Sequence, residues 1–323
     1  MGILTINDKL TLLERMHRNS ENADAARIIE ALSQTNSILQ DAPAIEANER
    51  TVHTSVVRTA LAHGTHRIYN QGIQTSASQT KVVHDVVCEL AGYSYADKKL
   101  VDEAANPTEF LNGEVSSFIE GMGQDQAEDF VYGNHGADSA YMDGFAIRRP
   151  KIDEKLCIDM GGTTTGKLTS VYIVKWARDK AHVIFPKGAS GCGVSRVDKG
   201  VQTVDAPSGG KMEAYVNYFT ASYGLAVRND KSLIRLANID TATTKADDVI
   251  KTILKASHNL AIGDGTICIY GNADVLSLLD VATVDKSNVC YTDKDPWGNE
   301  LLKIRTMRLR QVDAILSTED KIA

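Results

Sequence analysis

The segment Gly161-Gly162-Thr163-Thr164-Thr165-Gly166-Lys167-Leu168 comes within one residue of a phosphate-binding loop. In such a loop glycine amides wrap a phosphate, the lysine reaches its outer oxygens, and a final Ser or Thr hydroxyl ligates magnesium. Leu168 stands where that hydroxyl is required. The β-branched and aromatic run from Thr169 to Trp176 also predicts a strand where the loop should open a helix. A Gly/Thr linker ahead of a strand accounts better for these residues. Cys192, between Gly191 and Gly193, is a second candidate, a thiol posed as a nucleophile with His182 as its base. Pro186 separates the two, and a small residue in a tight turn explains Cys192 better. His63 and His66 have the spacing of two metal ligands on one helical turn, but Gly64 breaks a helix and no nearby Cys, Asp or Glu completes a set. Asp153, Glu154 and Asp159 could act as paired carboxylates, although solvated loops carry such clusters too. The catalytic alternative is therefore a cytosolic nucleotide-binding or hydrolytic enzyme that uses the loop from Gly161 to Lys167 or Cys192.

Lys303, Arg305, Arg308 and Arg310 form a basic strip interleaved with Ile304, Met307 and Leu309. That alternation predicts a strand with one buried face and a cationic face turned to solvent or to another subunit. At 323 residues, with 43% hydrophobic and 24% charged residues, the chain has the make-up of a globular protein with a large core. Its net charge of −7 argues against a dedicated nucleic-acid binder, which presents a basic face to phosphates. Cys88, Cys157, Cys192, Cys268 and Cys290 are scattered and form no CxxC pair, as expected in a reducing compartment. The residues after Met1 lack the features of a signal peptide, and no apolar run approaches a membrane span, so no membrane association is expected.

Elements must position whatever these residues do. Apolar spacing predicts two short helices near Asp8 to His17 and Ala23 to Leu39, with narrow stripes that suit an arm docked on something else. From Thr51 to Asp85 the sequence turns polar and β-branched, predicting two extended arms joined by a tip around Gly72 to Gln79. A long polar hairpin is marginal in water unless covered, and the expected cover is another copy of the same chain. Asn106, Pro107 and Glu109 form a helix start and Gly133-Asn134 a stop, predicting a helix from Pro107 to Tyr132 of about 39 Å. Leu111, Val115, Phe118, Ile119 and Met122 supply its apolar stripe. Strands follow: Val171 to Trp176, a turn at Arg178 to Lys180, a return from His182 to Gly188, then Tyr215 to Phe219, Tyr223 to Arg228 and Ser232 to Asp240. A helix from Ala246 to Leu260, a strand from Thr266 to Tyr270, a helix capped by Asn272 and a strand from Leu301 to Leu309 close the chain. Helices and strands mix without a βαβ repeat, so the fold class is α+β.

This order of parts resembles the major capsid proteins of short-tailed double-stranded DNA phages of the epsilon-fifteen type, which share the Hong Kong 97-like coat fold. The residues that carry the resemblance begin with Glu30-Ala31-Leu32-Ser33-Gln34-Thr35-Asn36 and Tyr69-Asn70-Gln71-Gly72. They continue through Tyr132-Gly133-Asn134, Phe185-Pro186-Lys187-Gly188 and Gly224-Leu225-Ala226-Val227-Arg228. Ile234-Arg235-Leu236-Ala237-Asn238-Ile239-Asp240 and Arg310-Gln311-Val312-Asp313-Ala314-Ile315-Leu316 complete a collinear set over nearly the whole chain.

The resemblance implies an N-terminal arm over residues 1–50 and an extended β-hairpin loop over 51–85 that lies across a neighbouring subunit. It implies a peripheral domain over 86–187 with a long spine helix at 107–132, a mainly axial domain over 188–294, and return strands over 295–323. The implied function is a coat protein that self-assembles, through hexamers and pentamers, into an icosahedral shell around double-stranded DNA without reading its sequence. Scaffolding, portal and decoration proteins are the implied partners, with synthesis in the bacterial cytoplasm and residence in the virion capsid. No catalytic, cofactor-binding or metal-binding residue is expected. Arg58, Arg67, Tyr69, Lys81, Lys303, Arg305, Arg308 and Arg310 are the candidate contacts between subunits. Lys81 is the only lysine of the hairpin and no motif marks an Asn partner, so no Lys–Asn cross-link is expected. An encapsulin-like compartment of the same fold would differ by its cargo.

Overall fold

The computed structural model describes residues 36–189, 191–206, 209–285, 290–294 and 300–322. The helix expected near Asp8 to His17, and most of that expected from Ala23 to Leu39, lie outside these residues. Along the chain run α1 (Ile38–Asp41), β1 (Ala44–Glu46), β2 (Val52–Ala60), β3 (Gln79–Asp97), α2 (Lys98–Asp102), α3 (Pro107–Tyr132), α4 (Phe145–Arg148) and β4 (Cys157–Asp159). Next come β5 (Thr169–Trp176), β6 (Ala181–Phe185), β7 (Ser195–Asp205), β8 (Lys211–Val227) and β9 (Leu233–Ile239). The last elements are α5 (Ala246–Ser257), β10 (Thr266–Gly271), α6 (Ala273–Asp285), β11 (Cys290–Lys294), β12 (Glu300–Ile304) and β13 (Met307–Gln311). The described residues fall into two compact units that interleave in sequence. The smaller takes 89–126 and 193–222, and the larger takes 36–88, 127–192 and 223–322.

In the larger unit β5 is the central strand. Val171-Tyr172-Ile173-Val174-Lys175-Trp176 shows no polar alternation, and all eight residues of β5 are buried because both faces are covered. One edge pairs antiparallel with β10 and the other antiparallel with β9, and beyond β10 the order continues to β13, β12 and β11. On one face, Val171 and Ile173 meet Ile234, Leu236, Val249, Ile253, Ile269 and Val275, so α5 and α6 seal that side. The fit of α5 follows from its spacing: Val249, Ile250, Ile253 and Ala256 are buried while Asp248, Lys251 and Lys255 face solvent. The opposite face is aromatic. Phe145 lies 5.6 Å from Tyr172 and 6.4 Å from Tyr270, and Trp176 Nε1 donates to Tyr270 Oη at 2.8 Å.

Three sequence expectations are corrected here. The strand after Lys180 does not return alongside β5: the two meet only at Trp176 and Ala181, in parallel. The turn closed by Lys180 N–H on Ala177 O redirects the chain, and β6 pairs instead with β8 and β1. The runs at Tyr215 and Tyr223 are one strand, β8, of 17 residues. Finally, the strand expected from Leu301 to Leu309 is a hairpin, because Arg305 adopts φ 57 and turns β12 into β13.

The smaller unit holds most of α3, the end of β3, and the hairpin of β7 with the first part of β8. Its core includes Phe118 stacked on Phe219 at 4.5 Å, and Gly92 leaves the space that the Phe118 ring fills. The start of α3 is built as its residues predict. Glu109 N–H donates to Asn106 Oδ1 at 3.3 Å, and Asn106 Nδ2 donates in return to Glu109 Oε2 at 3.1 Å. Val115 and Met122 of the predicted stripe are buried, whereas Ile119 is 41% exposed.

Candidate assembly interface

Strands β2 and β3 pair antiparallel from Val52–Val86 to Ala60–Gln79, with a bulge between Arg58 and Ala60. Nine residues of β2 reach about 30 Å from the root at about 3.3 Å each. The connection over 61–78 is longer than the short tip expected. It has no regular structure beyond one turn at Tyr69-Asn70, where Gln71 N–H donates to Ile68 O and Asn70 takes φ 70. Every residue from 61 to 82 is exposed. Apolar side chains share that exposure, with Ile68 at 76% and Tyr69 at 94%.

The root, in contrast, is locked into the larger unit. Gly224 of β8 lets the backbone of β3 approach so closely that a Cβ there would lie 2.5 Å from Val86 O. Cys88 Sγ donates to Tyr223 O at 3.2 Å, and burial pushes that thiol up to about 12. Arg148 joins Asp85 Oδ1 at 2.8 Å and Leu225 O at 2.7 Å, tying β3, α4 and β8 together. Burial raises the Asp85 carboxyl above the usual range while Arg148 opposes the shift.

The candidate contact residues divide into two groups. Arg58, Arg67, Tyr69 and Lys81 are all exposed on the hairpin. The strip at the other end of the chain is split by its turn: Lys303 lies on β12, Arg305 is exposed in the turn, and Arg308 and Arg310 lie on β13. Arg310 grips Asp41 with two hydrogen bonds of 3.0 and 2.9 Å, and Arg308 Nη1 lies 3.6 Å from the same carboxylate. Arg308 and Arg310 are thus engaged within the chain. Asp41, 269 residues away from Arg310, carried no signal in the sequence. Nor did Glu319, which anchors the C-terminal segment to Arg235.

Several of the residues with chemical promise have structural duties. Leu168 is fully buried and β5 begins one residue later, while the loop amides of Gly162 and Gly166 donate to Asn238 O and Glu319 O. Burial pushes the Cys192 thiol up, which opposes a nucleophilic thiolate. His182 is fully buried against His53, and its pKa is pushed down to about 3 by burial and by the charges of Arg228 and His53. His63 and His66 are exposed on the hairpin connection. Asp159 accepts from Gly161 N–H and from Asn238 Nδ2, fixing the loop. Among the described residues no group of three or more His, Cys, Asp or Glu could hold a metal ion, and no helix is long and apolar enough to cross a membrane.

The family described as major capsid protein GP7 matches the chain over residues 20–323. The chain belongs to this family. It is a structural coat protein of an icosahedral phage shell, with the Hong Kong 97-like fold, whose copies assemble into a capsid lattice. A chain in the near-atomic structure of bacteriophage Epsilon15 is similar, with a TM-score of 0.74, 25% identity and 99% of each chain covered. The bacteriophage JBD30 capsid gives a TM-score of 0.46 at 12% identity over 88% of this chain and 93% of that one. The capsid of Myoviridae phage XM1 gives 0.46 at 9% identity, over 66% and 95%. No curated protein matches the coat protein in sequence.

Proposed function

We propose that the hairpin is the arm by which one copy of the coat protein laps onto the next. The unbroken exposure of residues 61–82, apolar side chains included, is the observation that carries this reading. A two-stranded ribbon of this length gains little stability alone in water, so a covering surface completes it. The segment from Thr51 to His84 contains no Asp or Glu, so Arg58, Arg67 and Lys81 present uncompensated charge to that surface. Arg305, exposed in the turn between β12 and β13, is a secondary contact at a second face. Many such weak contacts sum over a closed lattice of hexamers and pentamers.

In this reading residues 86–187 with the spine helix form the peripheral domain, 188–294 mainly the axial domain, and 295–323 the return strands. The shell encloses double-stranded DNA by containment, to which a net charge of −7 is suited. Scaffolding, portal and decoration proteins are its partners, with assembly in the bacterial cytoplasm. A photo-crosslinking residue in place of Tyr69 tests the arm directly. Irradiated assemblies should give dimers of the chain on a denaturing gel. Attachment only within one chain would refute the reading.

A further inference from the structure

At the root of the hairpin, elements of the larger unit press polar side chains together with too few partners. His53 of β2 is 1% exposed and His182 of β6 is fully buried, their rings meeting edge to face at 5.7 Å. Asp85 of β3 is the cross-strand neighbour of His53. Arg228, just past β8, brings Nη2 to 3.0 Å from His53 Nε2, while Asn48 N–H approaches His53 Nδ1 at 3.3 Å. Ser55 Oγ, Asp85 Oδ2, Arg228 Nε and both ring nitrogens of His182 are buried without a hydrogen-bond partner.

A neutral imidazole has one acceptor nitrogen, so His53 can satisfy Asn48 or Arg228 but not both. An imidazolium satisfies neither and stands against a guanidinium. His182 is tolerable only while neutral, since a charge there would be buried beside His53 and Arg228. The charged groups facing the pair are Arg228 from the end of β8 and Asp85 from β3, and Asp85 in turn faces Arg148 from α4 and Asp143 just before α4. Asp85 is the acid that partly balances a charge on His53, and its Oδ1 is already held by Arg148 at 2.8 Å. Lys180, just before β6, spends its ammonium on Asp264 O.

We infer that this cluster is an acid-sensitive latch: protonation of His53 and His182 releases the hairpin root from β6 and β8 while the rest of the larger unit stays closed. Burial, then Arg228, then His53 push the His182 pKa down to about 3 from its usual 6.5. His53 is lowered by burial and by Arg228, against a weaker pull from Asp85. A folded pKa below the unfolded one gives stability that is complete above the unfolded value and is lost as pH falls toward the folded one. For His182 alone, the constant for opening the root rises about tenfold between pH 7.5 and pH 5.5.

Hydrogen exchange on the full chain at these two pH values, with labelling times scaled to intrinsic exchange, tests the latch. Peptides covering 52–60 and 79–88 should lose at least about tenfold in protection, while α5, β9 and β10 hold theirs. A His53→Gln/His182→Leu variant should show no such response. Equal loss across the larger unit, no loss at the root, or a response retained in the variant would each overturn the inference. The wild-type profile decides the matter even where the variant does not fold.

Discussion

Arg235 and Glu319 form an ion pair of 2.9 Å with both side chains almost wholly buried. Tyr132 Oη donates to the other carboxylate oxygen at 2.6 Å, and the Arg235 guanidinium lies over the Tyr172 ring. Burial and the Glu319 charge hold the Tyr132 hydroxyl far above its usual range, so it remains a donor. Glu319 N–H and Ile322 N–H are bonded to Leu168 O and Asn238 Oδ1, so this pair anchors the whole C-terminal segment to β5 and β9.

Glu319→Ala leaves a buried guanidinium without its counter-charge. Breaking such a pair from one side costs about 3–5 kcal/mol. Urea unfolding of the purified chain should show a loss of that order; a loss below about 1 kcal/mol would show that solvent already reaches the pair.

Asp41 joins α1 to β13 through Arg310 and Arg308, and its side chain is 1% exposed. In a double-mutant cycle, Asp41→Ala and Arg310→Ala should couple by about 1–3 kcal/mol. Independent, additive losses in urea titrations would mean that this join contributes nothing specific.

Two glycines should respond with opposite signs. Gly224→Ala places a methyl 2.5 Å from Val86 O and 2.9 Å from Ile184 Cγ1, and should destabilise by about 1–3 kcal/mol. Gly121→Ala, on an open face inside α3, should stabilise by about 0.5–1 kcal/mol. Thermal unfolding of the two variants side by side distinguishes these directions.

What was legible in the sequence is what neighbours in sequence decide. Both bounds of α3 follow from Asn106, Pro107, Glu109 and Gly133, and the amphipathic pattern of α5 places its buried face. The hairpin was legible because its arms pair with each other. By contrast, the partners of β6 are distant strands, so the turn after Trp176 suggested a return that tertiary pairing overrides. Arg305 has a side chain that rarely takes positive φ, which hid the turn between β12 and β13. Of the candidate interface, the exposure of Arg58, Arg67 and Lys81 was legible, but the engagement of Arg308 and Arg310 with Asp41 depends on a contact spanning most of the chain.

The central claim is that function resides in contacts between copies made by the hairpin. Replacing residues 61–78 by a two-residue Asn-Gly turn removes the exposed segment and leaves the paired strands and root intact. Purified chain should keep its secondary structure by circular dichroism and its unfolding midpoint, while electron microscopy shows free subunits or open fragments in place of closed shells. Closed shells at the yield of the full chain would contradict the account.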